Sequence, residues 1–355
     1  MTILWINLCA VFSFSLLARY FSKTTLIDSI PRPNKIFTLL VLILLVLVSG
    51  LRAGNIGDTG AYMHGFRIAK FNWNDVDFSG EFGFYIYQML IKNITDDPQV
   101  LVFVSALITN LLIIYVFYKY SRYFELATYV YITSGLFLVS MNGIRQFLAS
   151  AILFTATKFL IAGNWKKYFI VVIFASTFHK SALILIPVYF IVRRKAWSKT
   201  TLVLILMTIP FLMIFTFFTD TFFSLLEETR YGHYENFNEG GANVLRTLVS
   251  IVPIIIAYFG RHKLKEIYPQ NDCIVNMALI NTIVMLVATQ NWIFARFTIY
   301  FGLYQVLLLS WVIKLFNKKD RKFIYYAILI CYFVFFYYEH VVSLNIDYKS
   351  KFINL

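Results

Sequence analysis

The sequence predicts an all-α polytopic membrane protein, with about ten transmembrane helices and a broken or re-entrant helix pair over residues 168–192. Three observations lead there. Hydrophobic residues make up 59% of the 355 and charged residues 14%, far from the balance of a soluble domain. Apolar runs able to cross about 30 Å of hydrocarbon recur from end to end. The segments between them sort by charge, as the positive-inside rule requires. No polar stretch is long enough for a separate soluble domain, so residues 1–355 are read as one transmembrane domain.

Hydropathy places helices near 3–18, 36–51, 99–118, 126–140, 142–162, 201–219, 246–260, 274–290, 296–313 and 323–340. The first run, Ile3 to Leu17, lacks a basic leader and a small-residue cleavage site, which marks a retained helix. Gly83 to Ile94 is too short to span. It is expected in the interface, with Phe84, Tyr85 and Tyr87 at headgroup level.

Residues 168–192 decide the topology. A single crossing here would put Arg193, Arg194 and Lys195 opposite Lys166 and Lys167 and invert every later loop. If the segment enters and leaves on one side, that side collects 21 Lys/Arg against 5 Asp/Glu, and the other keeps 11 against 13. The first side is then cytoplasmic and both termini lie outside. Each arm, Tyr168 to Phe178 and Ser181 to Val192, spans about 16–18 Å, half a bilayer, with His179 and Lys180 at the tip. Non-helical backbone at that depth requires surrounding protein or a water-filled cavity. Two thin, tilted crossings satisfy the same parity.

The outer loops 52–98 and 220–245 carry most of the polar outer surface and draw the search for function. The net charge of +14 sits in short inner connections rather than in a basic stripe interleaved with aromatics, which argues against nucleic acid. Cys9, Cys273 and Cys331 have neither metal-ligand spacing nor a disulfide framework.

Charge beside apolar runs marks the candidate site residues. Asn142, Arg145, Gln146 and Ala149 fall at helical offsets of three, four and seven, so one helix face would present amide, guanidinium, amide and a small residue, suited to a phosphate. The alternative is an arginine snorkelling to the interface. His179-Lys180 suits a general base beside a phosphate-binding cation, or a solvated turn. Arg52, Asp58 and Tyr62 lie in a turn loosened by Gly54, Gly57 and Gly60. There Asp58 orients a sugar hydroxyl, removes its proton, or pairs with Arg52, and Glu81 has the same open roles. Arg230, His233, Tyr234, Arg246 and Arg296 flank later outer segments and complete a pyrophosphate site or mark the interface. Asn281, within an apolar helix, is read as an interhelical hydrogen bond. Asp75-Val76-Asp77 offers two carboxylates, a weak metal signal, and no metal or cofactor is assigned.

Taken together, Arg52…Gly57-Asp58-Thr59…Tyr62, Glu81-x-Gly83, Asn142-Gly-Ile-Arg145-Gln146 and Phe178-His179-Lys180-Ser181 resemble the EpsG-like branch of the Wzy-type polysaccharide polymerases. The resemblance is good over roughly residues 50–190 and weaker through Arg230-Tyr231, Tyr234 and Arg296-Phe297. It implies the GT-C-like architecture of metal-independent, lipid-dependent glycosyltransferases. It also implies a bacterial cytoplasmic-membrane enzyme joining oligosaccharide repeat units carried on undecaprenyl pyrophosphate, with the active site facing outward. Donor and acceptor would be lipid-linked repeat units, and a chain-length regulator and a flippase are the protein partners it suggests.

The chemistry of glycosyl transfer from a pyrophosphate agrees. It needs cations for the leaving group, here Arg145, Arg296 and Lys180 or Arg230, and a base for the attacking hydroxyl, here His179 or else Asp58 or Glu81. Rival readings are a flippase for the same lipid-linked unit, an O-antigen ligase, and a scaffold whose charges are interfacial.

Overall fold

The computed structural model describes residues 1–22, 31–199, 201–208, 210, 212 and 241–353. The described chain is helical, its one extended pairing being an isolated bridge between Arg52 and Ser350. It clusters into two compact units, 1–189 with 309–355, and 190–308.

In the first unit the helix starts are written locally. Asn34 caps α1's successor, α2 (Lys35–Gly50), by accepting from the N–H of Ile36 at 2.9 Å, while α1 covers Thr2–Tyr20. After α3 (Thr59–Ile68) and α4 (Phe82–Lys92), Asp97 accepts from Gln99 N–H at 2.9 Å and Pro98 opens α5 (Pro98–Tyr120). This 23-residue helix, about 34 Å long, lies against α2, α3 and α8 (Ile144–Thr155). Buried polar side chains fasten it. Asn110 donates to Ser49 Oγ at 3.1 Å and accepts from the Tyr131 hydroxyl at 3.3 Å.

Two predicted helices are broken. The span 126–140 is α6 (Phe124–Thr133) and α7 (Leu136–Asn142), bent by 54°. Gly135 makes the bend at φ 85°, and a Cβ there would strike the His340 ring. The span 142–162 does not start at 142: Asn142 ends α7, Gly143 turns the chain, and α8 begins at Ile144, with α9 (Thr157–Ala162) following. Asn142 therefore does not share a helix face with Arg145 and Gln146, which corrects the offset argument.

The segment around 168–192 folds back on itself. Helix α10 (Trp165–Ser176) stops before His179, a 3-10 turn covers Lys180–Ile184, and α11 (Leu185–Val192) follows. The Tyr168 and Tyr189 rings lie 5.2 Å apart. One continuous helix would hold them about 31 Å apart, so the arms run antiparallel with His179 at the turn.

The second unit contains helices Val244–Phe259 and Asp272–Ala288, the first bent by 79° from Arg261–Ile267. Asn281 donates to Gln305, whose amide donates to Ser250 O at 2.6 Å, so its predicted interhelical role is present. Residues 201–208 are helical, and the rest of the predicted 201–219 segment lies largely outside the described residues.

Among the described residues four helices are long and apolar enough to cross a membrane, and six if each bent pair counts as one span. Lys35–Gly50, Ile144–Thr155, Lys180–Val192 and Asp272–Ala288 are apolar but shorter. Every predicted helix outside 201–219 has a helical counterpart. Two are broken, one at Gly135 and the other at Gly143 and Ala156, by turns within runs that hydropathy reads as continuous.

Candidate functional site

The site is assembled where α4 docks on the turn of the α10–α11 hairpin. The first N–H groups of a helix have no partner within it. In α4 two of them are taken by one carbonyl: Gly83 N–H and Phe84 N–H donate to Thr177 O at 2.9 and 3.3 Å. A Cβ on Gly83 would collide with the Thr177 side chain, so only glycine permits this approach. The docking delivers Glu81, the residue before α4, to His179.

Glu81 then joins an imidazole and a guanidinium. Its Oε1 lies 2.5 Å from His179 Nδ1 and accepts from Lys180 N–H at 3.2 Å, while Oε2 accepts from Arg145 Nη1 at 2.6 Å. Arg145 Nε donates to the Tyr62 hydroxyl at 3.2 Å, and its guanidinium lies 5.8 Å from the Tyr62 and Phe84 rings. The side chains of Glu81, His179 and Arg145 are 14, 17 and 33% exposed, which leaves the cluster shielded but reachable. Burial pushes the Glu81 carboxyl up. The His179 hydrogen bond, the charges of His179 and Arg145, and the Lys180 N–H outweigh it and hold Glu81 below its ordinary value.

Because a carboxylate faces Nδ1, the neutral imidazole is assigned its proton there, leaving Nε2 as the basic nitrogen. The arrangement can accept a proton at Nε2 and present positive charge at Arg145 in one half-buried place.

The other predicted residues are placed as follows. Arg52, 2% exposed, donates to Thr59 Oγ1 at 3.0 Å, to Met141 O at 2.7 Å and to Ser49 O. Burial draws its guanidinium down to about 9, against an opposing influence from Tyr348, and it stays charged at neutral pH. Its hydrogen bonds go to the ends of α2 and α7 and the start of α3, rather than to Asp58. Asp58 precedes α3 with an exposed side chain, and its N–H donates to Asn142 Oδ1 at 2.8 Å. Gly57, at φ 48°, sits so close to that amide that a Cβ would overlap it. Asn142 thus pins the Gly57-Asp58 turn. Gln146 is buried in α8, and the Lys180 side chain is exposed at the hairpin turn.

In the second unit Arg246 lies near the start of helix Val244–Phe259, and the Arg296 guanidinium stands 5.1 Å from the Trp292 ring. Arg230, His233 and Tyr234 lie outside the described residues. Phe84 faces protein: it is buried with Ile144 and Leu148, and Tyr62, Tyr87 and Phe178 pack around it. Tyr87 turns its hydroxyl inward to Ser105 Oγ at 2.9 Å. Asp77 is occupied by Ser79, whose N–H donates to it at 2.9 Å. Among the described residues no three His, Cys, Asp or Glu side chains gather as metal ligands.

Sequence reasoning missed Thr177, Gln99 and the C-terminal segment. Gln99 donates to the Gly50 and Arg52 carbonyls at 2.7 and 3.1 Å. Tyr348 donates to Val48 O at 2.8 Å, and Ala53 N–H donates to Lys349 O at 2.7 Å. None has a local signal, since each acts through backbone groups distant in sequence.

A helical chain with several membrane-length apolar helices defines the class as a polytopic membrane protein, and the His–Glu–Arg cluster gives it a half-buried charged site. The chain belongs to the EpsG family, whose sequence model matches residues 35–353, nearly its whole length and every residue of the cluster. That family is one of Wzy-like polysaccharide polymerases, so a role in polysaccharide polymerisation follows. No curated protein and no solved structure matches the chain.

Proposed function

We propose that this protein joins undecaprenyl-pyrophosphate-linked oligosaccharide repeat units on the outer face of the bacterial cytoplasmic membrane. The observation that carries the reading is the Glu81 carboxylate shared between His179 and Arg145. The acceptor hydroxyl gives its proton to His179 Nε2 as its oxygen bonds to the donor's anomeric carbon. The bond from that carbon to the pyrophosphate oxygen breaks, and Arg145 stabilises the departing negative charge. Glu81 holds the imidazole in the productive tautomer and offsets the positive charge it gains.

In this reading the shorter apolar helices also enter the membrane, which brings the count toward ten in a GT-C-like arrangement. The α10–α11 hairpin carries His179 into an outward-facing cavity. Asp58, exposed beside the Asn142 pin, is positioned to orient a sugar hydroxyl. The reaction runs without a resident metal, Arg145 supplying the charge. A flippase delivers the units and a chain-length regulator sets the polymer's extent.

The test is polymer formation by the purified full-length chain from lipid-pyrophosphate-linked repeat units, with His179→Ala and Arg145→Ala beside the wild type. The proposal expects polymer from the wild type and a loss of about 10²–10⁴-fold in each variant. Near-normal chain length in either variant would refute it.

A further inference from the structure

The first unit carries a second charged assembly at the other end of α5. At the Pro98 end, Gln99 donates to the Gly50 and Arg52 carbonyls. At the Tyr120 end, about 34 Å away, Tyr120 O accepts from Trp311 Nε1 at 2.8 Å. There the last turn of α1, the α5–α6 connection and residues 314–321 bring five cations together.

The Tyr123 ring has the Arg19 guanidinium at 4.3 Å and the Lys314 ammonium at 5.9 Å. Arg321 donates to Phe316 O at 3.0 Å and to Lys314 O at 3.3 Å, which holds it at the same turn. Arg122 precedes Tyr123, with its N–H donating to Ser310 Oγ at 3.3 Å, and Lys318 lies in the turn between Lys314 and Arg321. Among the described residues the carboxylates beside them are Glu125, buried and paired with Arg19, and the exposed Asp320. Cations gathered at one end of a helical unit attract an anionic group.

The same helix ends expose apolar rings: Tyr20 and Phe21 follow Arg19, and Phe323 and Tyr326 follow Arg321. Thr2–Tyr20 and Arg321–Ser343 are both long and apolar enough to cross a membrane, so their basic ends fall at the hydrocarbon boundary. A cationic cluster with an apolar rim at that level matches a phosphate headgroup with its acyl chains attached, whereas a free phosphate has no use for the rim.

We propose that Arg19, Arg122, Lys314, Lys318 and Arg321 form a binding site for an anionic phospholipid headgroup, at the end of the first unit remote from the His179 cluster. The site is independent of the polymerase reading and holds whichever reaction the protein performs.

Native mass spectrometry of the full-length protein, stripped of lipid and titrated with phosphatidylglycerol, phosphatidylcholine of equal chain length, or inorganic phosphate, tests it. The expected result is at least about tenfold preferential retention of phosphatidylglycerol, weakening as salt rises. Arg122→Gln/Lys314→Gln/Lys318→Gln should drop retention to the phosphatidylcholine level, while Lys158→Gln/Lys166→Gln/Lys167→Gln, which removes equal charge elsewhere, leaves it intact. Equal retention of the two lipids, salt-insensitive retention by the wild type, or equal loss in both triple variants overturns the proposal. Displacement of phosphatidylglycerol by equimolar inorganic phosphate makes this a site for the free anion and overturns the lipid assignment. The lipid and salt comparisons need only wild-type protein, so a triple variant that fails to fold does not remove the test.

Discussion

Glu81 Oε1 lies 2.5 Å from His179 Nδ1, although the two residues are 98 positions apart in the chain. The contact exists because α4 spends its first N–H groups on the carbonyl of Thr177, two residues before the histidine. A helix start thereby becomes the device that orients an imidazole, and the same carboxylate reaches Arg145 with its other oxygen.

Glu81→Gln keeps the shape of the side chain and removes its charge. It should lower turnover by about 10²-fold or more, because the imidazole loses the partner that fixes its tautomer and balances its proton. Turnover and the thermal midpoint, measured together, separate this from a folding defect: turnover should fall while the midpoint changes modestly. Equal turnover in the variant and the wild type argues against the coupling.

Gly83→Ala drives a methyl group into the Thr177 side chain and should cost about 1–3 kcal/mol, with loss of activity as Glu81 is pushed away from the hairpin turn. The double variant Gly83→Ala/Thr177→Gly removes the two nearest colliding atoms and should recover part of both. Thermal denaturation and polymer yield, measured as a double-mutant cycle, check it.

Arg52→Met should show as a stability loss before it shows as a catalytic one. It leaves the Ser49 carbonyl without its buried donor, at about 1–3 kcal/mol for a group left unsatisfied, while Met141 O keeps the Thr59 hydroxyl at 2.9 Å. The measurement is the yield and melting temperature of purified protein. Full stability with a raised KM for the lipid-linked donor would instead make Arg52 a substrate ligand.

The pH dependence of stability follows from Glu81. Its folded-state value is held below the ordinary 4.5, so its contribution is full above that value and is lost as pH falls through it and below. Wild-type protein should therefore lose more melting temperature than Glu81→Gln on acidification below about pH 5. Parallel curves for the two proteins would contradict the assignment.

On the proposed mechanism, in which Arg145 supplies the charge that a divalent ion would otherwise bring, polymerisation should be unchanged by a chelator. Strict dependence on added Mg²⁺ in the purified system would shift attention to Asp75 and Asp77.

The helical, membrane-type class was legible because hydropathy is summed over long windows and survives local breaks. Arg145 and His179 were legible for a related reason: charge beside apolar residues is costly, so its presence there calls for an explanation. The fold-back of 168–192 was readable from loop charges, and the contact between the Tyr168 and Tyr189 rings agrees with it. The breaks were not readable. Gly135 and Gly143 look like ordinary small residues within apolar runs until a neighbouring element, His340 for Gly135, occupies the space a side chain would need.

Composition and hydropathy are properties of the chain itself, and they were enough to establish an apolar, helical, membrane-type protein. Partner choice is a property of the packed chain. Arg52 and Glu81 had open roles along the sequence, and burial selected their partners: a charge out of water must take whatever donor or acceptor the neighbouring helix ends present. That selection gave Arg52 to three helix ends and brought Glu81 to both Arg145 and His179, while the close approach of Gly57 made the exposed Asn142 a pin for its turn.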